Sequence, residues 1–182
     1  MDTNELSLLT QVIVFHNKRA FGRLVMKYQS PVRRFFLNLT GGDEALSDDL
    51  AQDTFLKAYL HIGQFRGTAS FSTWLYRIAY NIFYDHTRSQ HPTESIGPAA
   101  ERKTADVAET GLRLDLQQAL AILSPAERTC ITLQVMEGQS ISEISEITEM
   151  AEGTIKSHLS RGKQKLAMYL RKNGYEQNKS YK

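Results

Sequence analysis

The chain has 182 residues, 41% of them hydrophobic and 23% charged, fractions of an ordinary globular protein that exclude wholesale disorder and leave room for two small domains. The net charge of +2 is unevenly spread: from Gly153 onward eight bases (Lys156, Arg161, Lys163, Lys165, Arg171, Lys172, Lys179, Lys182) face one acid, Glu176, a balance of +7 that leaves −5 for the preceding 152 residues. Such a basic segment on an acidic chain is the footprint of nucleic-acid contact, although a solvated basic tail gives the same count.

Cys130 is the single cysteine, which excludes an intramolecular disulfide; with no Cys and His at metal spacing, it reads as a small buried hydrophobe in a reducing compartment. Asp2 and Glu5 stand where a secretory leader is basic, and no apolar run approaches the roughly 20 residues of a membrane span. The expectation is a cytoplasmic protein with no membrane insertion and no cofactor.

From Leu6 to about Arg88 the chain is rich in aromatics at helical spacing, as in Phe21, Leu24, Val25 and Tyr28. A helix over DDLAQDTFLKAYLHI turns Leu50, Ala51, Thr54, Ala58 and Ile62 to a core, with Asp49, Gln52, Asp53, Leu56 and Leu60 opposite. Leucines among acids on an outward face suggest a protein partner with basic and apolar groups, unless these leucines pack within the same domain. The next helix, within QFRGTASFSTWLYRIAYNIFYDHTR, has a core stripe of Phe71, Leu75, Ile78 and Ile82 and a second stripe of Trp74, Arg77, Asn81, Tyr84 and Arg88. Rings interleaved with cations and an amide suit single-stranded DNA, where rings stack on bases and arginines hold phosphates. The preceding loop, Arg66 to Ser70, is small and polar enough to admit an extruded base. For Trp74 alone, core packing is an equal reading.

Residues 89–110 contain two of the four prolines and no aromatic residue, the composition of a linker. Helical spacing resumes with Leu112, Leu116, Ala119, Leu120 and Leu123 and stops at Ser124 and Pro125, an N-cap and a first helical residue. A helix with Cys130, Ile131 and Leu133 runs up to Gly138. SISEISEITEMAEGTIKSHLSRGKQKL then has the layout of a helix-turn-helix. Its first helix points Ile141, Ile144 and Ile147 inward, and its second places Ile155, Leu159, Gly162, Leu166 and Leu170 on one side. Lys156, Ser157, Ser160, Arg161 and Gln164 face away, a set that suits the major groove: cations and Gln for purine edges, short Ser for close approach. Lys163 and Lys165 flank it at phosphate positions. An ordinary solvated basic helix is the bland alternative. Glu143, Glu146, Glu149 and Glu152, read as acids of the preceding helix, sort charge between the two. With no segment alternating in period two, the expectation is an all-helical protein of two small domains.

DDLAQDTFLKAY followed by FRGTASFSTWLYRIAYN resembles region two of extracytoplasmic-function (ECF) sigma factors, and LSPAERTCITLQVMEGQSISEISEITEMAEGTIKSHLSRGKQKL resembles their region four. The resemblance implies a region two helical bundle at 6–90, a linker at 91–111, region four at 112–172 and a disordered tail at 173–182. It implies that Asp49, Gln52, Asp53 and Leu56 meet the clamp helices of the largest subunit of core RNA polymerase, with the flap of the second-largest subunit as a further partner. It implies that Arg66, Ser70, Trp74, Arg77, Asn81, Tyr84 and Arg88 open and hold the minus-ten element. Lys156, Ser157, Ser160, Arg161 and Gln164 would read the minus-thirty-five duplex, and an anti-sigma factor would restrain the protein. Glu149 replaces the usual turn glycine, and Tyr80, His158 and Ser160 also depart from the pattern. Two other readings are a stand-alone helix-turn-helix regulator, which leaves the N-terminal faces without purpose, and a metal-dependent nucleic-acid hydrolase at Asp48, Asp49 and Asp53, for which no further ligand is at hand.

Overall fold

The computed structural model describes residues 3–90 and 110–173, with only the backbone described for residues 90 and 110–115. Most of the expected linker and tail, residues 91–109 and 174–182, lies outside the described residues. The described residues form helices and no strand.

Four helices make the N-terminal bundle: α1 (Thr3–Phe15), α2 (Lys18–Thr40), α3 (Glu44–His61) and α4 (Phe71–Gln90), with a 3-10 turn at Ile62–Gln64. The boundaries are chemical. The Asn17 side chain accepts from the amides of Arg19 and Ala20 at 3.0 and 3.2 Å, and the Asp43 carboxylate accepts from the Leu46 amide at 3.0 Å, so both helices start on a side-chain oxygen that satisfies orphan donors. Between them Gly41 takes a left-handed φ of 71° and closes α2. The core gathers Leu9 and Val12 of α1, Val32, Phe35 and Phe36 of α2, Leu50 and Ala58 of α3, and Phe71, Leu75 and Ala79 of α4. Ring pairs Phe21–Tyr59 (4.9 Å) and Tyr28–Phe71 (5.4 Å) fix α2 against α3 and α4. Burying each large side chain here contributes about 1.5–3 kcal/mol, and this packing sets which faces of α3 and α4 stay outside.

The C-terminal bundle consists of α5 (Thr110–Ala121), α6 (Pro125–Ile131), a π-helical turn (Thr132–Met136), α7 (Ile141–Thr148) and α8 (Glu152–Lys172). Ser124 caps α6 with a reciprocal bond to Glu127 and Pro125 at the first position, and Ser140 caps α7 in the same way with Glu143. Cys130 is fully buried, as expected, in a core with Ile131, Leu133, Ile144, Ile147, Ile155 and Leu159. A methyl group on Gly162 would lie 3.0 Å from Ile131 Cγ1, so the glycine lets α8 approach α6.

Four local expectations need correction. The helix expected up to Gly138 changes to a π turn at Thr132. Leu116 and Leu170 are 41% and 40% exposed instead of inward, because each stripe continues past the end of the small core that buries the rest of it. Glu152 starts α8 and does not belong to the preceding helix. The helical backbone of α5 begins at Thr110, inside the expected linker.

The two helical domains expected from the sequence are both present. They share one continuous core cluster, with α7 packed on α4 and α6 on α2. That contact is tertiary and has no counterpart in the helical spacing of either domain.

Candidate nucleic-acid and polymerase interfaces

On α3 the partition read from helical spacing holds: Leu50, Ala51, Thr54, Ala58 and Ile62 are buried, and Asp49, Gln52 and Asp53 are exposed. Leu56 and Leu60 are 59% and 69% exposed, so they do not pack within the domain. Asp48 differs from its neighbours. Arg33 of α2 pairs with it and reaches Glu44 at 3.5 Å, and the hydrogen bond to Asp48 is the main cause of the raised pKa of Arg33. That pairing withdraws Asp48 from the acidic set, and among the described residues no three metal-ligating side chains come together.

On α4, Trp74, Arg77, Asn81, Tyr84 and Arg88 fall within an arc of about 80° at 100° per residue. Arg77, Asn81, Tyr84 and Arg88 are exposed, and Trp74 is half-buried. The Trp74 indole leans on Phe65 and Phe71 at 5.6 and 5.7 Å, so one part of the ring packs and the rest faces outward. The loop before α4 has Arg66, Gly67 and Thr68 exposed, Gly67 at a left-handed φ of 70°. Ser70 is more committed than the sequence suggested: its hydroxyl accepts from the Thr73 amide at 3.1 Å and meets the Ser72 and Thr73 hydroxyls, which caps α4. Tyr80 is half-buried, stacks near Tyr84 at 6.1 Å, and burial raises its pKa. Arg77 is ion-paired with Glu149 of the C-terminal bundle.

On α8, Lys156, Ser157, Ser160 and Arg161 line one open surface depression, with exposed Gln164 one turn beyond Ser160. Their polar groups are loosely held. Lys156 is 3.6 Å from Glu152, and the Ser157 hydroxyl donates to the Gly153 carbonyl at 2.9 Å. Arg161 donates to the Ser157 carbonyl at 3.3 Å and lies 3.3 Å from His158 Nδ1. The flanking lysines depart from expectation: Lys163 donates to Gln134 at 2.7 Å and Lys165 to Glu127 at 2.8 Å, so both are directed onto α6 and its π turn. Glu149 does take the left-handed backbone, with φ 60°.

Burial pushes the Glu127 carboxyl up, but the Lys165 ammonium and the Ser124 amide outweigh it and hold the group below its ordinary value. The Ser140 amide does the same for Glu143 against a smaller burial effect. A carboxyl whose pKa is depressed by folding adds stability above its unfolded value, and that stability is lost as pH falls through the folded one. Thermal melting of the chain should therefore shift downward below about pH 4.5, and Glu127→Gln should flatten part of that acid limb.

Helical spacing does not single out Arg34, Tyr76 and Glu137, which meet between the bundles; Glu137 sits in an unremarkable turn. No local pattern could have marked it.

Two adjoining helical units, one with an aromatic and cationic stripe and one with a helix-turn-helix, define a DNA-reading protein of the sigma-70 type. A family model for sigma-70 region 2 matches residues 24–93 and one for sigma-70 region 4 matches residues 113–166. The chain is 32% identical over 164 residues to the RNA polymerase sigma-H factor of Pseudomonas aeruginosa, covering 81% of this chain and 84% of that one. It is 35% identical over 159 residues to the ECF RNA polymerase sigma factor SigM of Mycobacterium tuberculosis, covering 85% and 79%. The solved structure of the sigma factor RpoE in complex with the anti-sigma factor NepR from Bartonella quintana superposes with a TM-score of 0.69 at 28% identity, covering 83% of this chain and 96% of that one. The chain belongs to the ECF RNA polymerase sigma factors. Its function is promoter-specific transcription initiation with RNA polymerase, and a stand-alone regulator would leave the region 2 match unexplained.

Proposed function

We propose a division of labour among the three surfaces. The α3 face of Asp49, Gln52, Asp53 and Leu56 docks on the clamp helices of the largest polymerase subunit, and the flap of the second-largest subunit takes region four. The α4 stripe of Trp74, Arg77, Asn81, Tyr84 and Arg88, with Arg66 and Ser70 at its loop, captures the minus-ten element as single strands. The α8 face of Lys156, Ser157, Ser160, Arg161 and Gln164 reads the minus-thirty-five duplex. The observation that carries this reading is the exposure of Leu56 and Leu60 on the same α3 face as Asp49 and Asp53: an apolar and acidic face that its own domain leaves uncovered fits a basic and apolar partner.

Sigma factors are regulatory proteins, and here promoter opening would be driven by binding alone, captured bases offsetting an unstacking cost of a few kcal/mol. Domain limits of 6–90 and 112–172, with a connecting segment at 91–111, suit this scheme, because joining two weak DNA contacts in one chain makes the second intramolecular. Residues 173–182 would add no more than weak electrostatic attraction. Among the described residues no helix is long and apolar enough to cross a membrane, and we place the protein in the cytoplasm with core polymerase. An anti-sigma factor is proposed as a further partner, by analogy with the RpoE complex.

The test is in vitro transcription with purified core polymerase on a library of promoter fragments, with and without the protein. Transcripts should start at specific sites only when it is present. Asp53→Arg should weaken core binding on the order of tenfold while leaving minus-thirty-five duplex binding unchanged. If core is neither bound nor redirected, the assignment of these surfaces fails.

A further inference from the structure

Arg161, on the outward face of α8, is held through two of its nitrogen atoms. Its Nε donates to the Ser157 carbonyl at 3.3 Å, and its Nη2 lies 3.3 Å from His158 Nδ1. A guanidinium can only donate, so in this contact the ring nitrogen must accept. Nδ1 therefore carries no proton, and the neutral ring keeps its proton on Nε2. Both Nη1 protons and one on Nη2 stay free, which is the end-on fork that fits the O6 and N7 acceptors of guanine. The histidine thus steadies the guanidinium from the side and leaves its reading edge open.

What surrounds His158 decides how a proton on it would act. The ring is half-buried at the edge of the reading face, and its charged neighbours on the same side of α8 are Arg161 and Lys165. From α6 comes Glu127, which already accepts from Lys165 at 2.8 Å and from the Ser124 amide at 2.9 Å and stands 4.0 Å from Arg161. The carboxylates of α7 and its turn point elsewhere: Glu143 accepts from the Ser140 amide and from Thr73, Glu149 pairs with Arg77, and Glu146 is exposed. The described side chains of α5 are uncharged. A proton on Nδ1 would therefore turn an acceptor into a second cation beside Arg161, with the nearest carboxylate already engaged.

We propose that His158 is a positioning residue of the duplex reader: unprotonated, it holds Arg161 ready for a purine edge, and protonated, it lets Arg161 go and itself becomes a phosphate contact. The inference rests on the assignment of α8 to the minus-thirty-five duplex. Its signature is that affinity and base discrimination move in opposite directions with pH. Phosphates favour the charged ring, so binding takes up a proton and tightens as pH falls. That gain is shared by every sequence, because a phosphate contact carries no base information. Discrimination falls at the same time, because a guanidinium repelled by its neighbour must be ordered again at the base, which costs side-chain freedom.

The test is competition binding by the full-length protein assembled with core polymerase, on duplexes bearing the preferred minus-thirty-five element and its single-base variants. Between about pH 8 and pH 5.5, the window in which imidazoles titrate, affinity of the parent protein should rise on the order of fivefold, with a salt dependence steeper by about one phosphate contact. Over the same window, its preference at the base position read by Arg161 should fall on the order of fivefold. His158→Asn places an amide oxygen where Nδ1 stands and cannot titrate, so it should keep the high-pH discrimination throughout and lose both pH slopes relative to the parent. His158→Lys should hold the low-pH behaviour at every pH, with tighter binding and weaker discrimination. His158→Ala should discriminate weakly without a pH slope. Melting of each variant shows that the bundle is folded.

An Asn variant with the parent's pH profile, or affinity and discrimination that fall together in the parent, would overturn the proposal. Failure of the underlying assignment shows separately: Lys156→Ala and Arg161→Ala would then leave duplex binding intact, and the two ideas would fall together. If those substitutions weaken binding while the His158 variants keep the parent's profile, only the role of His158 falls.

Discussion

Trp74→Ala should lower open-complex formation at a minus-ten promoter by roughly 5- to 150-fold, while affinity for core polymerase changes by less than about twofold. The range follows from about 1–3 kcal/mol for an aromatic ring stacked on a base. The ring is half-buried and its inner part rests on Phe65 and Phe71, so truncation also removes packing, by less than the 3–5 kcal/mol of a fully buried tryptophan. Trp74→Phe separates the two effects, since it keeps much of the packing and a stacking face. Core affinity by titration and promoter opening by permanganate footprinting should diverge for the alanine variant, and equal losses in both would show that Trp74 serves the fold alone. As the single tryptophan of the chain, it also reports its own stacking through fluorescence quenching by a minus-ten oligonucleotide.

Arg161→Ala should weaken binding to the preferred minus-thirty-five duplex by about 5- to 150-fold and flatten discrimination at one base position, the loss of a bidentate purine contact worth about 1–3 kcal/mol. Its partners in the free protein are the Ser157 carbonyl, His158 and, at 4.0 Å, Glu127, contacts on an exposed side chain that a base edge can replace. Stability should therefore move by no more than about 0.5 kcal/mol, and thermal melting checks it. Lys156→Ala should instead weaken all duplexes alike and reduce the salt dependence by about one phosphate contact. A binding series over salt and over single-base variants of the duplex distinguishes the two residues. If Arg161→Ala lost affinity equally for every sequence, this arginine would hold phosphate and the reading residue would lie elsewhere on α8.

Helix faces were legible because periodicity is local. Asp49, Gln52, Asp53, Leu56 and Leu60 emerge exposed, and Ile144, Ile147, Ile155 and Leu159 buried, since 3.6 residues per turn sort side chains whatever packs beside them. Caps were legible for the same reason: Ser124 before Pro125 needs only its next three residues to close a turn. Stripes failed at their ends. Leu116 and Leu170 keep the spacing of core residues and are still partly exposed, because length of packing depends on the neighbouring element and not on the helix itself.

The sequence by itself determined the all-helical class, the sigma region two and region four patterns, and which helix faces point outward; each of these rests on interactions within one or two turns. The tertiary structure alone decided which of the outward charges are available. It commits Lys163 and Lys165 to Gln134 and Glu127, Asp48 to Arg33, and Arg77 to Glu149. It also brings Arg34 to Glu137 across 103 residues of chain. An ion pair needs only charge and proximity, with no periodic signature, so its partners become known when the chain folds back and brings them within reach.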